Sequence, residues 1–194
     1  MLPEATPAQS NLPMQFAKKS YTKICPKHIV LPFAQVSFMQ YHDLEYGFLI
    51  TDDNLLFERL ILEINQAGLS WEIILKKRQG FRAAYANFVL EQVAAFTLED
   101  EIRLLSDTGI IRNKLKVKAA IENAKRILRL QHQYGSFSIW LERHRGLDLP
   151  EWKKLFKQTF VFTGGEIVNE FLVSLGYLGG AHDSDCFVGQ QLKK

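Results

Sequence analysis

The chain has 194 residues, 47% of them hydrophobic, and a formal net charge of only +3. This length and composition predict a single domain with a proper core. They exclude a membrane-spanning chain, since no apolar run approaches the ~18 residues that a span needs, and the net charge alone does not indicate a nucleic-acid-binding protein.

The first 20 residues are rich in Pro, Ala, Ser and Gln and lack the apolar stretch of a secretory signal. We interpret residues 1–20 as a loose leader, or alternatively as a short element packed on the surface, and residues 21–194 as one helical domain. Because nothing indicates an oxidising compartment, we expect a cytoplasmic monomer with reduced cysteines.

Beyond the leader, apolar residues recur at helical spacing almost throughout. Thr51 is expected to cap the first clear helix, with the acids at 52–53 in its first turn, where the helix dipole favours negative charge. Gly68 is expected to end this helix. Ser70 then begins a short helix that Gly80 is expected to stop.

The second half of the chain continues this helical pattern. Thr97 and Asp100 resemble a capping box that opens a helix to about Ser106. Asn113 is expected to cap a basic helix that ends near Gly135. Three further helices are predicted over residues 136–144, 151–160 and 165–175. With no convincing alternating strand, the sequence predicts an all-α fold.

The segment from Glu63 to Trp71 is the most informative part of the chain. It places a carboxyl group inside an apolar helical run and an aromatic plate at the start of the next helix. Together they could bind a flat, electron-poor ring, with Trp71 stacking on the ring and Glu63 hydrogen-bonding to its edge. The alternative is an ordinary amphipathic helix with one exposed Glu and one core Trp.

Positive charge is concentrated in residues 101–130. Eight bases and three acids give this stretch a net charge of +5, which leaves −2 for the rest of the chain. Gly109 lies between two predicted helices, so its amides and the following helix start could hold a DNA phosphate. Arg112, Lys114 and Lys116 are expected to point outward and add attraction. The alternative is an ordinary helical corner with a solvated basic face.

Two cysteines and two histidines suggest a metal site. His182 and Cys186 are four residues apart near the C-terminus, while Cys25 and His42 lie near the N-terminus. Two Cys and two His suit a closed, structural tetrahedral zinc ion, which would clip the two ends of the domain together. His28 competes with His42 as a ligand, and the alternative is four unrelated polar residues.

Several short motifs follow one another over residues 25–188. They are Tyr41-His42-Asp43 with Glu45 and Gly47; Leu55 to Phe57; Gln66-Ala-Gly-Leu-Ser-Trp71; Leu75-Lys-Lys-Arg78; Gly109-Ile-Ile-Arg112 with Lys114; Ala119-Ala-Ile-Glu-Asn-Ala124; and His182 with Cys186. In this order they resemble the 3-methyladenine DNA glycosylase I family, the helical base-excision enzymes for alkylated adenine.

The resemblance implies a helix-hairpin-helix glycosylase fold that hydrolyses the N-glycosidic bond of 3-methyladenine in double-stranded DNA. By matching position, Glu63 is the acid that reads the base, Trp71 is the stacking plate and Tyr41 is a second pocket contact. Tyr46 and Asn65 stand at pocket positions where the family usually has other residues. We found no lysine suited to a Schiff base, so a monofunctional enzyme is expected.

The resemblance also implies one structural zinc ion, held by Cys25, His42, His182 and Cys186. One further departure is Ile64, which stands where the family usually has Gly. Ile64 and Tyr46 therefore leave an alternative open: a catalytically silent, DNA-binding or damage-sensing paralogue. A third hypothesis is a purely structural, zinc-clipped helical protein.

Overall fold

The computed structural model describes residues 36–191, which form ten α-helices and no strand, so the predicted all-α class is confirmed. The leader at 1–20, Cys25 and His28 lie outside the described residues. No helix in the described part is long and apolar enough to cross a membrane. The helices are α1 Val36–Leu44, α2 Asp53–Gln66, α3 Trp71–Ala84, α4 Leu90–Ala94, α5 Leu98–Ser106, α6 Lys114–Tyr134, α7 Phe137–Arg143, α8 Leu149–Thr159, α9 Gly165–Ser174 and α10 Phe187–Gln191.

Helix α2 is the central element of the fold. Residues 56–65 are all buried, because α3, α6, α7 and α9 pack around this helix. Four of the buried side chains are polar or charged, which is unusual for a helix that is enclosed in the protein core. They are Glu58, Arg59, Glu63 and Asn65. The core helix therefore carries polar groups that need a structural or functional explanation.

The start of α2 differs from the prediction by one residue. Asp52, and not Thr51, is the cap, since its carboxylate accepts a hydrogen bond from the Leu55 amide at 2.9 Å. The neighbouring Asp53 carboxylate accepts hydrogen bonds from the amides at 137–138 at 2.8 and 2.9 Å. Asp53 thus fastens the start of α7 to α2, a role that its position in the first turn did not reveal.

The predicted helix stop at Gly80 is wrong, because α3 continues through it to Ala84. Gly80 instead allows the loop after α5 to approach closely, since a side chain at this position would collide with the Gly109 carbonyl oxygen. Lys77 strengthens the same contact by donating to the Thr108 carbonyl at 2.6 Å. The glycine therefore serves packing between α3 and the α5–α6 loop.

The predicted starts of α5 and α6 are confirmed. Asp100 accepts a hydrogen bond from the Thr97 amide at 3.0 Å, as expected for a capping box. The Asn113 side chain accepts from the amides at 115–116 at 3.0 and 3.2 Å. Helix α6 ends at Gly135, whose φ of +96° favours glycine. Asp148 caps α8.

Candidate functional site

A small apolar cluster separate from the main core lies where the end of α1, the start of α3 and α9 meet. Its buried members are Tyr41, Tyr46, Leu75 and Val173, with Trp71 packed against them. The Tyr41 and Trp71 rings are 5.1 Å apart at 54°, and the Tyr41 and Tyr46 rings are 5.8 Å apart. The structure therefore brings the three predicted aromatic pocket residues together.

The Glu63 side chain is buried, only 4% exposed, and its carboxyl group makes no hydrogen bond or ion pair with any described residue. The alternative in which Glu63 is an exposed surface acid is thus wrong. Burial raises the pKa of its carboxyl group to about 8; the Arg59 guanidinium opposes this shift and the Glu170 carboxylate adds to it. At neutral pH Glu63 is therefore mostly a neutral acid that can still accept hydrogen bonds from a ligand.

Arg59 holds Tyr41 in place. It donates a hydrogen bond from Nη1 to the Tyr41 hydroxyl at 2.8 Å, and its guanidinium lies 4.7 Å from the centre of the Tyr41 ring. Its Nη2 donates to Glu45 at 3.1 Å, and Glu45 in turn accepts two hydrogen bonds from Arg78. Burial raises the pKa of Tyr41, so the ring stays neutral. Tyr41 is therefore held in a fixed position against Trp71.

Trp71 carries an unsatisfied donor. Its Nε1 is fully enclosed by the protein and has no hydrogen-bond partner among residues 36–191. An orphan buried donor is costly, and such groups are frequent at binding sites because a ligand satisfies them. Trp71 therefore combines a partly exposed ring with an indole donor that the protein leaves unpaired.

Asn65 and Ile64 are engaged inside the protein. The Asn65 side chain donates to the Ile61 carbonyl of the same helix at 2.8 Å. Ile64 is fully buried in the main core, so this departure from the family pattern contributes to core packing. The prediction that Asn65 contacts a ligand stays a prediction.

Glu170 on α9 is a site residue that the sequence did not indicate. Its carboxylate accepts a hydrogen bond from the Tyr46 hydroxyl at 3.2 Å. Burial raises the pKa of Glu170, and the hydrogen bond from Tyr46 partly opposes that shift. The available signal was weak: one acid inside the apolar run of residues 167–175.

Three of the four predicted metal ligands converge. The Nδ1 of His182 lies 3.2 Å from the Nε2 of His42, and the Cys186 Sγ lies 3.6 Å from each of these nitrogens. A tetrahedral zinc ion would separate two nitrogen ligands by about 3.3 Å and a nitrogen from a sulfur by about 3.6 Å. The distances and donor types of the triad therefore fit zinc.

The other nitrogen of each histidine is also fixed. The His42 Nδ1 lies 2.7 Å from the Asp43 carboxylate, and the His182 Nε2 lies 2.7 Å from the Tyr46 carbonyl oxygen. Carboxylate and carbonyl partners of this kind orient metal-binding histidines. The candidate metal centre thus adjoins the aromatic pocket through the backbone of Tyr46.

Lys116 does not point outward as predicted. It is buried, and its ammonium donates hydrogen bonds to the carbonyls of Asn65 and Ala67 at 2.9 and 2.7 Å. Asn65 lies in the last turn of α2 and Ala67 is its C-cap, a region whose carbonyl acceptors lack partners within the helix. Lys116 therefore ties the start of α6 to the end of α2, and its predicted role as a surface phosphate contact is corrected.

The other predicted DNA contacts are Gly109, Arg112 and Lys114, and they differ in their availability to a phosphate. Arg112 and Lys114 are exposed, as a backbone-binding role requires. The Gly109 amide, however, already donates to the Asp107 carboxylate at 2.6 Å. In this conformation a phosphate at Gly109 would have to displace Asp107, so the exposed cations are the better candidates for DNA contact.

Comparison with known proteins agrees with this geometry. The methyladenine glycosylase family model matches residues 34–149. A protein from Haemophilus influenzae named DNA-3-methyladenine glycosylase is 33% identical over 78% of this chain and 92% of its own length. The structure of 3-methyladenine DNA glycosylase I from Staphylococcus aureus, described as the basis of 3-methyladenine recognition, matches with a TM-score of 0.73 at 30% identity, covering 79% of this chain and 91% of the other. A tyrosine variant of such an enzyme, solved in complex with 3-methyladenine, matches with a TM-score of 0.73 at 31% identity, covering 79% and 92%.

Proposed function

The chain belongs to the methyladenine glycosylase family, and we propose that it is a monofunctional DNA glycosylase that removes 3-methyladenine from alkylated DNA. The observation that carries this proposal is Glu63, a buried acid whose carboxyl group has no partner among the described residues. It lies close enough to Tyr41 and Tyr46 to raise their pKa, and the Tyr41 ring lies against Trp71. Such an acid costs stability and is retained where a ligand supplies its partner.

The chemistry requires little from the protein beyond binding. Methylation at N3 makes the adenine cationic, so the base leaves as a neutral molecule when water attacks the sugar carbon and its glycosidic bond breaks. The enzyme must extract the base from the stack and favour the transition state over normal adenine. Trp71 stacks on the extruded ring, and Glu63 accepts a hydrogen bond from its edge.

Selectivity follows from charge. The cationic ring gains from electron-rich aromatic faces and from a carboxyl group that can ionise when a cation binds. Normal adenine is neutral and is a poorer leaving group, so it gains less from the same pocket. No steric exclusion of adenine is needed.

The test of this function is direct. Purified protein should release free 3-methyladenine from methylated duplex DNA, detected by mass spectrometry, without cutting the strand. Borohydride trapping of a covalent adduct would contradict the monofunctional mechanism. Retained duplex binding without any released base would instead identify the silent paralogue.

We further propose that the described triad and Cys25 hold one structural zinc ion. His42 lies in the last turn of α1, whereas His182 and Cys186 follow α9, so the ion would join the two ends of the domain. A bound zinc ion would cross-link the two ends of the domain and would take no part in the reaction. His42 is adjacent to Tyr41, and the backbone of Tyr46 contacts His182, so the ion would also steady the pocket wall.

We propose that α5, the loop at 107–113 and α6 form the helix-hairpin-helix unit that grips duplex DNA. Exposed Arg112 and Lys114 support this role, and Lys116 would transmit the position of α6 to the end of α2, next to Glu63. A cytoplasmic, monomeric enzyme remains our expectation.

Neutralising Arg112 and Lys114 together should weaken binding to every duplex about equally, since phosphate contacts do not read sequence. The slope of log affinity against log salt should flatten by roughly one to two units, about one for each lost phosphate contact. Fluorescence anisotropy at several salt concentrations measures this slope. Lys125→Gln, a substitution of an exposed lysine farther along α6, is the control. An unchanged slope in the double variant would show that these cations are only a solvated face.

Two substitutions of Trp71 distinguish the contribution of its stacking face from that of its hydrogen-bond donor. Trp71→Ala should slow single-turnover base release by about tenfold or more, since stacking on a base is worth roughly 1–3 kcal/mol. Trp71→Phe keeps an aromatic face but removes the orphan Nε1 donor, so a loss of about threefold is expected. If Trp71→Ala unfolds the protein by circular dichroism, Trp71 is a core residue and its pocket role is wrong.

A further inference from the structure

Helix α9 presents a second acid to the pocket. Glu170 and Val173 are three residues apart and so share a helix face. Val173 packs in the cluster of Tyr41 and Tyr46, while the Tyr46 hydroxyl donates to Glu170 at 3.2 Å. Glu170 therefore adjoins the same aromatic cluster that contains the proposed stacking residues.

Two hydrogen bonds hold the Glu170 carboxylate in place, and its oxygens can accept more. One oxygen accepts from Tyr46 at 3.2 Å and the other accepts from the Asn169 side chain at 3.3 Å. An ionised carboxylate offers about four acceptor sites. Both oxygens are thus oriented by the protein and can still accept a hydrogen bond from a ligand.

The charges around the pocket do not balance. Arg59 is the nearby cation, and it is committed to Tyr41 and Glu45. Neither Glu63 nor Glu170 forms an ion pair with any residue in the described range. The Glu170 carboxylate contributes to the raised pKa of Glu63, so the two carboxyl groups lie close enough to interact.

We propose that Glu170 is a second specificity-determining acid of the base pocket, oriented by Tyr46, which makes the site select purines that carry positive charge as a class. This inference rests on the proposed function. A cationic ring satisfies both acids, whereas a neutral ring of similar shape leaves a desolvated pair of like groups uncompensated.

Binding of small bases tests the proposal without catalysis. The probes are the 3,9-dimethyladeninium cation, whose methyl group at N9 replaces the sugar, and neutral 3-methyladenine. Dissociation constants are measured at neutral pH by calorimetry. The ratio of the two constants reports charge preference, and comparison of this ratio between variants cancels the difference in ligand shape.

Glu170→Gln should reduce the preference for the cation about tenfold, as expected for loss of one charge-assisted contact, while affinity for the neutral base changes less than twofold. Glu170→Asp keeps the charge and should restore much of the preference. Glu166→Gln is the matched control, since Glu166 is an exposed acid of the same helix; it should leave the ratio unchanged.

Two results would overturn the proposal. An unchanged ratio in Glu170→Gln would show that Glu170 does not sense the ligand charge. Equal weakening of both bases would show a merely structural role. The proposed function is decided separately, by base release from methylated duplex DNA with the wild-type protein. If that assay fails, the proposed function is wrong, whereas the ratio of dissociation constants still decides whether Glu170 senses the charge of a bound base.

Discussion

Glu63→Gln is expected to reduce single-turnover release of 3-methyladenine by about a hundredfold, the range in which loss of one positioned acid or hydrogen-bonding group lies. The amide keeps the size of the side chain but cannot ionise when the cationic base enters. Duplex affinity should stay within about twofold, because the DNA backbone is held elsewhere. Quench-flow release and fluorescence anisotropy measure the two quantities.

The same substitution should stabilise the fold at neutral and higher pH. In the unfolded chain Glu63 loses its proton near the ordinary glutamate pKa, whereas in the folded chain it does so near pH 8. As pH rises between these values the unfolded state is increasingly favoured, and Gln removes that penalty. An inactive but more stable protein is the expected mark of a functional acid.

Glu72→Gln is the matched control for Glu63→Gln. Glu72 is exposed, directly follows Trp71 and pairs with Lys76 at the surface, so its loss should affect neither release nor stability appreciably. Full activity of Glu63→Gln would contradict the base-reading role and would leave the burial of this acid without a function.

The sequence was sufficient to predict the part of the pocket that is local in the chain. Glu63 interrupts an apolar helix and Trp71 begins the next one, so both positions follow from helical periodicity and helix starts. The α5 and α6 starts were predictable for the same reason, since the Asp100 and Asn113 side chains bond to amides within three residues.

What the sequence could not predict depends on contacts between distant segments. Tyr46 and Glu170 are 124 residues apart in the chain, and neither position by itself indicates a shared hydrogen bond. Lys116 resembles its basic neighbours in sequence, yet it turns inward because the last carbonyls of α2, 49 and 51 residues earlier, need donors. Gly80 has the sequence signature of a helix stop, and only the proximity of Gly109 explains its role in packing.

The candidate metal site lies between these cases. The spacing of His182 and Cys186 suggested a pair of ligands, but residue types alone left His28 competing with His42 for a place beside them. The structure brings all three together with distances that fit zinc, and it adds the orienting contacts of Asp43 and Tyr46. Cys25 stays a prediction.

Freshly purified, chelator-free protein is expected to contain about one zinc ion per chain, measured by atomic emission spectrometry. His182→Ala should lose the metal and lower the melting temperature by roughly 10 °C, because loss of a structural zinc ion removes a few kcal/mol of folding free energy. His132→Ala, a substitution of an exposed histidine on α6, should change neither quantity.

The fourth ligand is decided by two further variants. Cys25→Ser should lower zinc content and reproduce much of the thermal destabilisation, whereas His28→Ala should retain the metal, because two thiolates and two imidazoles complete a closed tetrahedral shell. The opposite pattern would transfer the role from Cys25 to His28. Since the Tyr46 carbonyl contacts His182 at 2.7 Å, metal loss should also weaken binding of 3-methyladenine at temperatures where the protein remains folded. Unchanged base affinity in folded His182→Ala protein would show that the metal clip and the pocket are energetically independent.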